Sequence, residues 1–115
     1  METTAAPQSE RMDRNLLRHV VLFSWKVGVP PEKIDEIVSV FCQLPQRIGE
    51  IHDFEWGTDV SVEGLARGMS HCFLVTFKSA QDRDAYLPHA AHEEFVRLIQ
   101  PYIEDVLVFD YWQRS

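Results

Sequence analysis

The sequence predicts an α+β fold of the ferredoxin-like βαββαβ type, a four-stranded antiparallel sheet with helices on one face. Four segments dense in β-branched and aromatic residues stand in the order strand, helix, strand, strand, helix, strand. The two helical segments between them repeat apolar residues three and four apart. The length of 115 residues fits one domain, and 45% hydrophobic with 25% charged residues is a globular composition.

Met1–Asn15 is polar and without periodicity, and reads as a flexible tail ahead of a domain over residues 16–115. Leu16–Lys26 is the first strand. Its alternation puts His19, Val21, Phe23 and Trp25 on one face, and Val20, Leu22 and Ser24 on the other. Pro30-Pro31 stops the strand and opens a helix, where a missing N–H costs nothing. Ile34, Ile37, Val38, Phe41 and Leu44 form its apolar stripe, and Pro45 and Gly49 are expected to end it. Ile51–Val60 is a second, less apolar strand carrying Phe54 and Trp56, and Ser61–Gly68 a connecting loop. Met69–Lys78 is the strongest strand, with His71, Phe73, Val75 and Phe77 on one face and Cys72, Leu74 and Thr76 on the other. Ser79 and Asp82 resemble a capping box opening a second helix. That helix breaks at Pro88, resumes through His92, Phe95, Val96 and Ile99, and ends at Pro101. Val106–Trp112 is the fourth strand.

An antiparallel sheet usually keeps one face wet, so its strands should alternate apolar and polar residues. Here the first, third and fourth strands are apolar on both faces, and two helices cover only one of them. The remaining face would be an aggregation site if left open. The simplest cover is the same face of a second copy, so the sequence predicts a homodimer whose sheets form a shared barrel.

Composition narrows the partners. Eleven Lys and Arg against 18 Asp and Glu give a formal charge of −7, and no basic run marks a nucleic-acid or anionic membrane surface. No apolar run is long enough to span a bilayer, no apolar leader is visible, and Cys42 and Cys72 do not make a disulfide framework. A cytoplasmic protein is expected, with a small apolar molecule as its ligand. No glycine-rich phosphate loop, dinucleotide fingerprint or serine or cysteine nucleophile motif appears, so no cofactor is expected.

Four polar groups lie on apolar faces: His19, His71, His92, and Tyr86 six residues before His92. If both strand histidines face the helices, all four converge in a pocket whose apolar walls are Val21, Phe23, Ile37, Val38, Phe41 and Phe73. Imidazole, with an ordinary pKa of about 6.5, exchanges protons at neutral pH, and a phenol can donate to a developing enolate oxygen. A histidine on an apolar face can equally be a core residue bonded to a backbone carbonyl, and this alternative stays open for His19 and His71. His89 suits a helix cap, and His52 a solvated strand start. Zinc held by His71, His89 and His92 is a further alternative, though no carboxylate or thiolate falls at ligand spacing.

Several segments resemble the stress-responsive α/β-barrel (Dabb) domain family: HVVLFSW at His19–Trp25, WGTDVS at Trp56–Ser61, GMSHCFLVTF at Gly68–Phe77, AYLPHAAHEEF at Ala85–Phe95 and VLVFDY at Val106–Tyr111. The family usually reads H-P-A-H where this chain has His89-Ala90-Ala91-His92, with its proline at Pro88. The resemblance implies a dimeric α+β barrel. The family includes a plant polyketide cyclase that closes a ring by aldol condensation, and stress proteins with no established catalysis. Carried over from the cyclase, Tyr86 is the electrophilic donor and His92 the base that removes a proton α to a carbonyl. His19 and His71 then orient substrate. A non-catalytic ligand-binding protein and a cofactor-independent oxygenase remain alternatives at this level.

Overall fold

A computed structural model describes residues 15–114. The tail expected over Met1–Asn15 therefore lies, Asn15 apart, outside the described residues. The elements are β1 (Leu17–Trp25), α1 (Pro31–Arg47), β2 (Asp53–Thr58), β3 (His71–Phe77), α2 (Ala80–Tyr86), α3 (Ala90–Ile99) and β4 (Ile103–Trp112). The four strands form one antiparallel sheet in the order β2-β3-β1-β4, the ferredoxin-like arrangement, with both central strands flanked by antiparallel neighbours. Among the described residues, no helix is long and apolar enough to cross a membrane.

One sheet face carries the core. Leu17, Val21 and Phe23 of β1 and Phe73, Val75 and Phe77 of β3 are buried against Ile37, Val38, Phe41 and Leu44 of α1 and Phe95 and Ile99 of α3. The periodicity of two on the strands and three to four on the helices thus meets in one layer. On the outer face Val20, Leu22, Cys72 and Leu74 are only partly buried, while Leu107, Phe109 and Tyr111 of β4 are exposed, Phe109 to 60%. The second apolar face inferred from the sequence is real, and the chain itself leaves it open.

Three local features decide the helix ends. Ser79 accepts a hydrogen bond from the Asp82 N–H at 3.0 Å and caps α2. His89 does the same for α3, its Nδ1 accepting from the Ala91 N–H at 3.0 Å, so the break at Pro88 is followed at once by a capped restart. Pro45 does not end α1, contrary to expectation: the helix runs on to Arg47. A proline so near the end removes one ladder bond, and the Ile48 N–H still reaches the Leu44 carbonyl at 2.8 Å. β4 also begins earlier than its Val-rich run, at Ile103, which pairs with Trp25 across an irregularity after Ser24.

Candidate functional site

The sheet order places β4 at an edge, where α3 covers its inner side incompletely. A cavity of about 510 Å³ opens there, between β1 and β4 beneath and α3 above. It lies within the range of small-molecule sites. The strand register sets its long axis. Phe23 pairs with Val106, Val21 with Val108 and His19 with Asp110, so the floor runs from an apolar row to a polar one. Four residues of strand span ~13 Å.

At the polar end, His19 donates its Nδ1–H to Asp110 Oδ1 at 2.7 Å, and Arg83 Nη1 donates to Asp110 Oδ2 at 3.1 Å. The carboxylate is thereby held by two elements, and it fixes the orientation of a buried imidazole. Tyr86, the last residue of α2, is almost fully buried, its ring packed against His19, Phe77 and His92. Burial pushes its phenol well above the ordinary tyrosine range, so it is a proton donor at neutral pH and not a phenolate.

His92 stands in the first turn of α3, its ring centroid 4.4 Å from that of Tyr86. Its Nδ1 lies 2.8 Å from the Leu87 carbonyl. A carbonyl only accepts, so Nδ1 carries the hydrogen and Nε2 keeps its lone pair. Burial pushes the His92 pKa below the ordinary histidine value, the Leu87 carbonyl acting in the opposite sense. A neutral imidazole with a fixed tautomer therefore sits against a protonated phenol. Breaking the helix at Pro88 makes this possible, because it frees the Leu87 carbonyl from a continuous ladder and leaves it to accept from His92.

The structure brings together Tyr86, His92, His19, Val21, Phe23 and Phe41 around the cavity. Ile37, Val38 and Phe73 lie in the core and not in the lining, Phe73 stacking on Phe41 at 4.1 Å and so backing one wall. His71 does not converge with the others. It faces the helices as its alternation requires, but it pairs with Phe23, a full four residues along β1 from His19. There its Nδ1 accepts from Trp25 Nε1–H at 3.2 Å and contacts Ser70 Oγ at 2.8 Å, beside the parallel ring of Trp56. Sharing a face fixed the direction of His71 but not its position along the strand. His52 is exposed, and His89 is occupied as a cap. Among the described residues no group of three His, Cys, Asp or Glu is arranged to hold a metal ion, and the zinc alternative finds its three histidines engaged apart.

Asp110, Arg83, Val106, Val108 and Gln100 were not singled out in the sequence. Asp110 had a signal: it shares alternation with Val106 and Val108, an acid on an apolar strand face. Arg83 had none, since nothing local ties α2 to the end of β4.

Comparison with known proteins places this geometry. The family model described as Stress responsive A/B Barrel Domain matches residues 17–113. The Arabidopsis thaliana stress-response A/B barrel domain-containing protein HS1 is 41% identical over 95 residues, covering 83% of this chain and 87% of that protein. Olivetolic acid cyclase of Cannabis sativa is 28% identical over 99 residues, 86% of this chain and 98% of the enzyme. Among solved structures, the hydroxynitrile lyase of Passiflora edulis superposes with a TM-score of 0.83 at 27% identity, covering 89% of this chain and 96% of that one. A dimeric ferredoxin-like protein of unknown function from Thermobifida fusca superposes with a TM-score of 0.72 at 24% identity, over 84% and 90% of the two chains, a likeness of fold.

Proposed function

The chain belongs to the stress-responsive A/B barrel domain family, and on that premise we propose that it is a proton-transfer enzyme acting on a small, mostly apolar, carbonyl-bearing molecule. The observation that carries this reading is the contact between a neutral, tautomer-fixed His92 and a protonated Tyr86 at the polar end of an apolar cavity. His92 Nε2 takes a proton from the carbon α to the carbonyl. The Tyr86 O–H donates to the carbonyl oxygen as it gains enolate charge. The enolate carbon then attacks a second carbonyl carbon of the same molecule, forming the C–C bond. The proton on His92 returns to the resulting alkoxide, leaving both side chains as they began. His19, held by Asp110, orients the carbonyl end, and the apolar row from Val21 and Val108 to Phe23 and Val106 takes the tail. Two of the relatives, the cyclase and the lyase, carry enzyme names, which supports a catalytic role over simple binding.

Exchange of deuterium into the α-carbon of 4-phenylbutan-2-one, followed by NMR, tests the chemistry without the natural substrate. The protein is expected to exceed buffer catalysis, and exchange at the buffer rate would overturn the reading. The pH dependence has a definite sign. Burial favours the neutral imidazole, and the neutral form is the base, so exchange should persist below pH 6.5 and fall only as pH drops through the lowered His92 pKa. An acid limb centred above pH 7 would contradict it.

The protein works as a homodimer joined through the outer sheet face. Exposed Leu107, Phe109 and Tyr111 and the half-covered Val20, Leu22 and Leu74 support this, as does the dimeric state of the Thermobifida fusca neighbour. Phe109→Asp places a charge in that apolar layer and is expected to shift the protein from dimer to monomer in sedimentation velocity at micromolar concentration. A wild-type protein that sediments as a monomer would contradict the dimer.

A further inference from the structure

We propose that the apolar end of the cavity is closed by the β2–β3 loop of a second copy, so that each site is built from two chains; this rests on the homodimer and on the cavity's role stated above. The loop after Thr58 has a defined shape. The Asp59 N–H bonds the Ser70 carbonyl at 2.9 Å, the Ser61 N–H bonds Asp59 Oδ1 at 3.0 Å, and Gly64, Arg67 and Gly68 adopt positive φ. Yet it holds Val60, Val62 and Leu65 out in solvent, at 87%, 95% and 68% exposure. Three apolar side chains on one ordered loop mark a contact surface. The cavity has the complementary lack: its β4 wall is an open sheet edge, with Val108 55% exposed.

Two sheets that pack face to face about a two-fold axis can keep their strands aligned in two ways. An axis across the strands lays β2 over the partner's β2. The outer side chains of β2 include Asp53 and Glu55, so this apposes two rows of carboxylates, which is unfavourable. An axis along the strands lays β2 over the partner's β4 instead. Asp53 pairs with Thr76, Thr76 with Arg18 and Arg18 with Tyr111, so the partner's Asp53 arrives level with a guanidinium and a phenol. The charges select the second arrangement.

That axis also preserves height along the strands. Thr58 pairs with His71, His71 with Phe23 and Phe23 with Val106, so the end of β2 and the apolar end of the cavity stand at one level. The partner's loop therefore leaves β2 beside Val106 and Ile103, and the partner's Val60, the partner's Val62 and the partner's Leu65 roof the tail of the ligand near Gln100.

Cross-linking tests this without any ligand. In a Cys42→Ser/Cys72→Ser background, chains carrying Val62→Cys are mixed with separately tagged chains carrying Ile103→Cys and treated with a short bis-maleimide. Covalent dimers joining the two tags are expected. Links only between two Val62→Cys chains, or no link between the two tags in a protein shown to be dimeric, would overturn the proposal. A monomer in sedimentation would overturn it together with the homodimer on which it rests. In a second arm, Val60→Ser/Val62→Ser/Leu65→Ser is expected to bind 4-phenylbutan-2-one at least tenfold more weakly while remaining dimeric, and binding as in the wild type would contradict the roof. If the wild type binds none of the ketone, the reading of the cavity fails while the cross-link still decides the loop's place.

Discussion

Replacing His92 by alanine is expected to slow α-hydrogen exchange into 4-phenylbutan-2-one by roughly 10²–10⁴-fold, the usual contribution of one positioned acid or base. The loss follows from the geometry. Nε2 is the lone pair left beside the Tyr86 ring once Nδ1–H is committed to the Leu87 carbonyl. Because the alanine variant also frees that carbonyl, His92→Gln serves as a second variant that keeps a polar side chain there and lacks a comparable base. Tyr86→Phe is the matching change on the donor. It retains the ring contacts with Phe77, His19 and His92 and removes only the hydroxyl, so the melting temperature should hardly move. Its rate should fall by about 10²–10³-fold, the cost of one oxyanion donor. Exchange within a few-fold of wild type in all three variants would remove both residues from the chemistry. Ketone binding that survives without exchange in any of the proteins would leave the cavity a binding site alone.

Phe73→Ala is expected to destabilise the fold by about 3–5 kcal/mol, the range for removing a buried aromatic ring. Phe73 is fully buried at the centre of β3. Its ring stacks on Phe41 at 4.1 Å and lies close to Trp56 at 5.7 Å and Phe23 at 5.8 Å. The ring is clamped between two sheet strands and α1, so the cavity left behind has little freedom to collapse. A loss of this size is a large fraction of the roughly 5–15 kcal/mol that holds a domain together. Urea unfolding measures it, and a loss under 1 kcal/mol would show that the core is not centred there. The same change should weaken ketone binding at constant chemistry, since Phe41 forms a cavity wall and leans on Phe73 for its position.

Much of the fold was legible because it depends on short-range periodicity. The two-residue alternation of β1 and β3 placed His19, Val21 and Phe23, and His71, Phe73, Val75 and Phe77, on the inward face where the structure has them. The doubly apolar strands imply an uncovered face, and the outer side of the sheet is that face. Ser79 and His89 as helix starts were readable from local cap chemistry. What escaped depends on distances that a pattern does not contain. Alternation told that His19 and His71 share a face, but only the register between β1 and β3 shows that they lie at opposite ends of it. Pro45 read as a stop, because a proline's position relative to the helix end cannot be judged until that end is known. Of the site, Tyr86, His92 and His19 were visible as polar groups in apolar company. The carboxylate that holds His19 was not, since Asp110 lies 91 residues away in sequence and meets it only across the β1–β4 pairing.

The separation of the two strand histidines makes the central claim directly measurable. Side-chain NMR signals of the histidine rings, followed while 4-phenylbutan-2-one is added, distinguish the two ends of the sheet in one experiment. Occupation of the cavity between α3 and β4 should move the His92 and His19 ring signals together and leave those of His71 and the exposed His52 in place. Movement of His71 alone, or of none of the four, would contradict the assignment of the ligand to that cavity.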